Sequence, residues 1–181
     1  MPGDRPNVIG AEALVEKRSA VDRRGALSIP LIAGLRLLPT RPVPHEDGHV
    51  TEIARIDWEG LDQPIVQVHM TTTLAGRVRA WGLHRRGTDR LFVASGLVKI
   101  VCYDGRRESA TFGRINEFTL SDRNPGLVIV PVGLYHGWKN IGTSEAIIVN
   151  MPTIAYDYDR PDALDLPWDS AAAREIIPYT W

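Results

Sequence analysis

The sequence predicts an all-β protein, an antiparallel sandwich or barrel, and three observations lead there. From about Gly48 onward the chain is a series of short segments with strand chemistry, divided at near-regular intervals by Gly, Pro, Asn and Asp. No helical pattern intervenes between them, which excludes strand–helix–strand units and a parallel sheet. The length, 181 residues, suits one domain; a chain of this size buries roughly 70% of its unfolded surface and holds a core without staples.

Each element follows from its local pattern. Residues 10–24 carry Ala11, Leu14, Val15 and Val21 loosely at helical spacing among charges, and read as a short peripheral helix. Strands are expected over residues 50–58, 65–73, 77–86, 90–94, 97–103, 114–120, 127–130 and 146–151. Their breaks are Leu74-Ala75-Gly76, Ser95-Gly96, Asp104-Gly105, Asn124-Pro125-Gly126 and Asn140-Ile141-Gly142. These are the residues that supply turn geometry. Cys102 alternates with Val98 and Ile100 on an apolar face and reads as inert core. After Met151 the composition shifts to Asp, Pro and Tyr, yet Trp168, Ile176, Ile177, Tyr179 and Trp181 are too apolar for a solvated tail. The expected division is an N-terminal extension (1–30), a β domain (31–155) and a C-terminal strap (156–181) packed on the barrel or on a partner subunit.

Composition narrows the function. Lys and Arg number 21 against 22 Asp and Glu, so the chain as a whole attracts neither nucleic acid nor anionic membrane, and any anion site is local. A single cysteine excludes an intramolecular disulfide and a Cys-rich zinc module. No apolar run approaches the ~20 residues of a membrane span, and the first residues lack a signal-peptide core. A soluble, cytoplasmic protein is expected.

The sharpest motif is Pro131-Val132-Gly133-Leu134-Tyr135-His136-Gly137-Trp138-Lys139-Asn140. It resembles the second motif of the cupin superfamily, a jelly-roll β-barrel in which the histidine points into the barrel. Upstream, Gly82-Leu83-His84-Arg85-Arg86 stands where the first motif falls. Metal cupins place two histidines and a glutamate there; this chain has His84, Arg86 and Arg90. Arg offers no lone pair and repels a cation, so no metal is expected, whereas its two-pronged hydrogen bonding suits a phosphate. Strand alternation puts His84 and Arg86 on one face, and Arg77, Arg79 and Arg85 on the other.

A longer resemblance runs over residues 31–168. Gln67-Val68-His69, Gly82-Leu83-His84, Ser109-Ala110-Thr111-Phe112-Gly113, Leu120-Ser121-Asp122-Arg123-Asn124 and Val130 to Trp138 look like the dTDP-4-dehydrorhamnose 3,5-epimerase family, in order and with similar spacing. The resemblance implies cofactor-free proton transfer next to the ketone of a nucleotide-diphosphate-linked 4-keto sugar. Such chemistry needs a base with pKa near neutrality, a cation or donor at the enolate oxygen, and an acid across the ring. His84 falls on the family's catalytic base and Arg90 on its enolate-side lysine. Asp169, one residue out of register, stands for the carboxylate that orients the base. Gln67, His69 and His136 fall on the family's pocket positions; Arg86, where the family has Gln, is expected to bind the substrate's anion by its own chemistry, and Trp138 to stack on its base or sugar. Thirteen residues beyond His136, where the family has its acid tyrosine, stands Val149. A single-site epimerase, a keto-shifting isomerase, or an enzyme using Tyr156 or His69 as acid would tolerate that change. The resemblance also implies a homodimer. Two other functions fit the residues: a non-catalytic cupin that binds a nucleotide sugar or small anion, and a metal-dependent oxygenase, disfavoured by Arg86 and Arg90.

Overall fold

The computed structural model describes residues 8–10, 13, 15, 19–23, 28–61 and 63–181. The chain divides into two compact units, Met1–Pro30 and Leu31–Trp181. Of the helix expected over residues 10–24, residues 11, 12, 14, 16–18 and 24 lie outside the described residues; the described residues 19–23 are not helical.

In the second unit the strands are β1 (Arg36–Pro39), β2 (Val43–His45), β3 (Gly48–Val50), β4 (His69–Thr73), β5 (Val78–His84) and β6 (Asp89–Ser95). They continue with β7 (Leu97–Tyr103), β8 (Ile115–Ser121), β9 (Gly126–Val130), β10 (Tyr135–Asn140), β11 (Ala146–Asn150) and β12 (Ala163–Asp165), before the short helix α1 (Ala171–Ile176). Two five-stranded sheets form, β1-β9-β6-β11-β4 and β12-β5-β10-β7-β8, and β2-β3 is a separate hairpin. All pairings are antiparallel. From β4 to β7, and again from β8 to β11, each strand lies in the opposite sheet from the one before it. The result is the expected all-β jelly roll.

Strand alternation sorts the side chains into three layers. Val98, Ile100 and Cys102 of β7 point inward and are fully buried. Their cross-strand partners on β10 are Asn140, Trp138 and His136, which therefore share the inner face. Burial pushes the Cys102 thiol pKa up, so it stays a protonated core residue. Phe92, Leu127 and Ile129 face outward from the first sheet and pack under Leu61, Met151, Ile53, Ala54 and Trp58. The outer face of the second sheet presents Trp81, Val101 and Tyr103 to Ala173, Ile177 and the terminal aromatics. Each such side chain contributes about 1.5–3 kcal/mol by leaving water.

The first of these covers departs from the expected pattern. Residues 50–58 are not a strand: β3 ends at Val50, and residues 51–58 form a loop whose apolar side chains cap a sheet face instead of joining a ladder. Arg55 ties this loop to itself through Glu52 and Asp57. The strand expected over 65–73 begins only at His69. In the C-terminal segment, Leu166 exchanges both backbone hydrogen bonds with Trp81. Ser170 then caps α1 by accepting from the Ala173 amide at 3.1 Å.

Candidate active site

Six strands, β4, β5, β6, β10, β11 and β12, line a cavity of about 580 Å³ between the sheets, a volume that holds a small organic ligand. His84 is the last residue of β5. His136 sits near the start of β10, beyond a turn in which Gly133 takes a φ of +79° and donates its amide to the His84 carbonyl at 2.8 Å. A positive φ of this kind favours glycine, so the motif's Gly fixes one histidine against the backbone of the other. His136 lies opposite Gly82, where a Cβ would stand 3.4 Å from its Nε2. The two imidazoles stack with centroids 5.5 Å apart.

Two carboxylates complete the cluster. Asp89 opens β6, and its Oδ2 lies 3.1 Å from His84 Nε2 and 3.2 Å from His136 Nε2. Asp162 immediately precedes β12, whose Ala163 pairs with His84, and this register sets Asp162 Oδ2 3.4 Å from His84 Nδ1. The same carboxylate accepts the amides of Gly87 at 3.0 Å and Arg86 at 3.3 Å. His136 Nδ1 faces the Leu134 carbonyl at 3.1 Å.

The charges interlock. Burial alone lowers the His84 pKa, but the hydrogen bond and charge of Asp89, with Asp162 behind them, prevail and raise it above 6.5. Burial alone raises Asp89, yet hydrogen bonds from His136 and His84 hold its carboxyl far below the usual range. Asp162 is also lowered: burial opposes ionisation, and the Gly87 and Arg86 amides outweigh it. The cavity therefore contains two ionised carboxylates and two imidazoles, an arrangement suited to moving protons or to holding a cation.

A family model for dTDP-4-dehydrorhamnose 3,5-epimerase matches residues 32–174. The chain belongs to that family. Its members are sugar-nucleotide epimerases, which places the chain among the isomerases that act on carbohydrates. It is 33% identical over 123 residues to a probable low-salt glycan biosynthesis epimerase of Haloferax volcanii, spanning 67% of this chain and 79% of the relative. It is 28% identical over 151 residues to a spore coat polysaccharide biosynthesis protein of Bacillus subtilis, spanning 83% and 97%. A crystal structure of a dTDP sugar isomerase from Desulfovibrio desulfuricans superposes with a TM-score of 0.76 at 29% identity, covering 85% of this chain and 95% of that one.

Among the residues that the epimerase resemblance singles out, His84, His136, Gln67, His69 and Trp138 line the cavity. Gln67 Oε1 accepts the Tyr156 amide at 2.8 Å, and Trp138 donates its indole N–H to Thr73 at 2.9 Å, fixing it as a wall. Three expectations need correction. Arg90 lies on the opposite face of β6 from Asp89 and Leu91, which line the cavity; its guanidinium donates to the Gln63 and Pro64 carbonyls at 2.7 and 3.3 Å. Asp169 is exposed in the turn before α1 and does not line the cavity; Asp162 is the carboxylate on His84 Nδ1. Arg86 is not a cavity ligand either, since its side chain is 60% exposed and its Nε reaches Asp162 Oδ1 at 3.3 Å. With Arg85 and Arg160 it lines a neighbouring hollow that shares Pro161 with the cavity. Val149 also faces away: it packs on the Phe92 cluster, while Ile148 and Asn150 line the cavity. Arg86 and Arg90 therefore do not replace metal ligands inside the cavity. With both outside, His84, Asp89 and His136 offer three donor atoms within 4.8 Å of one another.

Proposed function

We propose that the chain is an epimerase or isomerase that moves a proton next to the ketone of a nucleotide-diphosphate-linked 4-keto sugar. The observation that carries this reading is the His84–Asp162 pair, set in a cavity of ligand size in a chain of this family. His84 Nδ1 and His136 Nδ1 both face acceptors, so each ring keeps its proton there and turns Nε2 toward Asp89. In its neutral form His84 keeps its proton on Nδ1, against Asp162, and its lone pair on Nε2. His84 then takes the proton from the carbon beside the ketone, and the electron pair left behind moves onto the ketone oxygen as an enolate. Returning the proton from His84 restores the substrate; inversion needs a donor across the ring, and Tyr156 in the cavity wall fills that role.

The basic hollow of Arg85, Arg86 and Arg160 supports a diphosphate at the cavity's edge. A homodimer belongs to the same reading and draws support from Val68 and Met70, 61% and 67% exposed on and beside the edge strand β4. A cytoplasmic setting belongs to the same reading. Among the described residues no helix is long and apolar enough to cross a membrane. The test is ligand-induced stabilisation: dTDP and a dTDP-linked 4-keto-6-deoxy sugar raise the melting temperature, the free sugar does not, and Arg86→Ala diminishes the shift. Absence of any shift at millimolar nucleotide would discard the substrate class.

A further inference from the structure

A β-bulge between β5 and β10 turns an arginine into the cavity, away from the catalytic cluster. His136 lies opposite Gly82, but Gly137 lies opposite Ala80 and Trp138 opposite Arg79, so Trp81 is the extra residue. Ala80 and Trp81 both pack on the outer face, and beyond them the alternation is reversed. Arg79, expected on the face opposite His84, therefore shares the inner face with Trp138 and lines the cavity. Its guanidinium lies over the Trp138 ring, 6.0 Å from the centroid, and Trp138 is itself held by Thr73 at 2.9 Å. On the neighbouring strand β12, Asp165 pairs with Gly82 and also lines the cavity. Both residues are exposed, and among the described residues no acceptor meets the Arg79 guanidinium and no donor meets the Asp165 carboxylate. Opposite charges that face one cavity without touching leave a donor and an acceptor open side by side.

We propose that Arg79 and Asp165 read an amide on the sugar, which deepens the proton-transfer reading and rests on it: the preferred substrate is a nucleotide-linked N-acylamino sugar. An amide answers both groups at once, since its carbonyl oxygen accepts from the guanidinium and its N–H donates to the carboxylate. A carboxylate on the sugar would be repelled by Asp165, and a hydroxyl offers both functions at one atom and does not reach two strands. The acyl group needs an apolar wall, which Trp138 and Ile148 supply; Ile148 pairs with Thr71 of β4, and Trp138 reaches Thr73 of the same strand. Order along β5 assigns the amide to the sugar. Arg85 and Arg86, which line the diphosphate hollow, follow His84, whereas Arg79 precedes it. A sugar that reacts at His84 with its diphosphate in the hollow turns its far side toward Arg79. Gly82, on the inner face between His84 and Arg79, has no side chain to block the way.

The test is titration calorimetry on the full chain with dTDP, dTDP-glucose and dTDP-linked 2-acetamido- and 3-acetamido-hexoses, none of which carries a ketone to react. At least one acetamido sugar is expected to bind about 10–100-fold more tightly than dTDP-glucose, because a site built to pair an amide is left unpaired by a sugar without one. Arg79→Met and Asp165→Ala, both at exposed positions, should each remove about 10-fold or more of that preference without weakening dTDP itself. Circular dichroism confirms that both variants are folded; should one fail, the other carries the comparison. The proposal is overturned if the parent binds dTDP-glucose as tightly as both acetamido sugars, or if the preference survives in the folded variants. It is also overturned if Arg79→Met weakens dTDP as much as it weakens the acetamido sugar, which would assign the guanidinium to the nucleotide. Binding of dTDP without preference for an amide leaves the proton-transfer reading standing; failure of the parent to bind dTDP at all removes both.

Discussion

Replacing Asp162 by asparagine separates the carboxylate that touches His84 from the one that local sequence suggests. Asp162 is buried and serves the Gly87 amide at 3.0 Å, the Arg86 amide and Nε at 3.3 Å, and His84 Nδ1 at 3.4 Å. An asparagine has one oxygen for these donors and turns its NH₂ toward another. Whichever way the amide points, a buried N–H is left facing a donor. Such a mismatch costs about 1–3 kcal/mol, and for a chain of this length about 2 kcal/mol lowers the melting temperature by about 4–8 °C. The catalytic effect is larger, because His84 loses the acceptor that keeps its proton on Nδ1 and its lone pair on Nε2; a fall in proton-transfer rate of about 10²–10⁴-fold is expected. Asp169→Asn, in an exposed turn, should change neither quantity. Thermal unfolding and substrate deuterium exchange, measured on both variants, decide the point. Full activity in Asp162→Asn, or a loss confined to Asp169→Asn, would refute the geometry.

Two buried charges outside the catalytic cluster give further expected outcomes. Arg90→Met should lower the melting temperature yet leave the exchange rate of the folded enzyme within about 3-fold, because the guanidinium anchors the 63–64 carbonyls and not an enolate; a 10²-fold loss measured at saturating substrate would restore Arg90 to the chemistry. Asp104 is fully buried and accepts from Arg106, Ser109 and Thr111; burial opposes its ionisation, and these donors hold its pKa below 3.8. Its contribution is present above pH 3.8 and is lost as pH falls toward the lowered folded pKa. Asp104→Asn should therefore cost about 2 kcal/mol near neutrality and flatten the decline of melting temperature below pH 4, as unfolding scans against pH would show.

How legible the protein is from its residues depends on how local the causes are. β7 is legible to the residue, because Val98, Ile100 and Cys102 alternate between clear breaks at Gly96 and Gly105. His84 and His136 are legible through motifs whose turn glycine is physically required. Asp89 is not, because residues 89–93 of β6 are buried on both faces and alternation gives no inside or outside. Counting along the motif then selects Arg90, its neighbour, which points the wrong way. Asp162 stands 78 positions from His84 in a Pro- and Asp-rich stretch whose acids all look alike until β12 pairs with β5. The apolar residues of 51–58 look like a strand because a loop that caps a sheet face needs the same composition as one that joins it.

The central claim is that His84 moves a proton beside a ketone, and isotope uptake tests it most directly. Metal-free protein is incubated with a dTDP-linked 4-keto-6-deoxy sugar in heavy water, and deuterium at the carbons flanking the ketone is followed by NMR and mass spectrometry. Uptake from the solvent is expected at one or both positions. It should be faster than net inversion, since return to the same face needs no second acid, and it should be abolished in His84→Ala. Uptake no faster than in buffer alone, or uptake that survives in folded His84→Ala, would contradict the account.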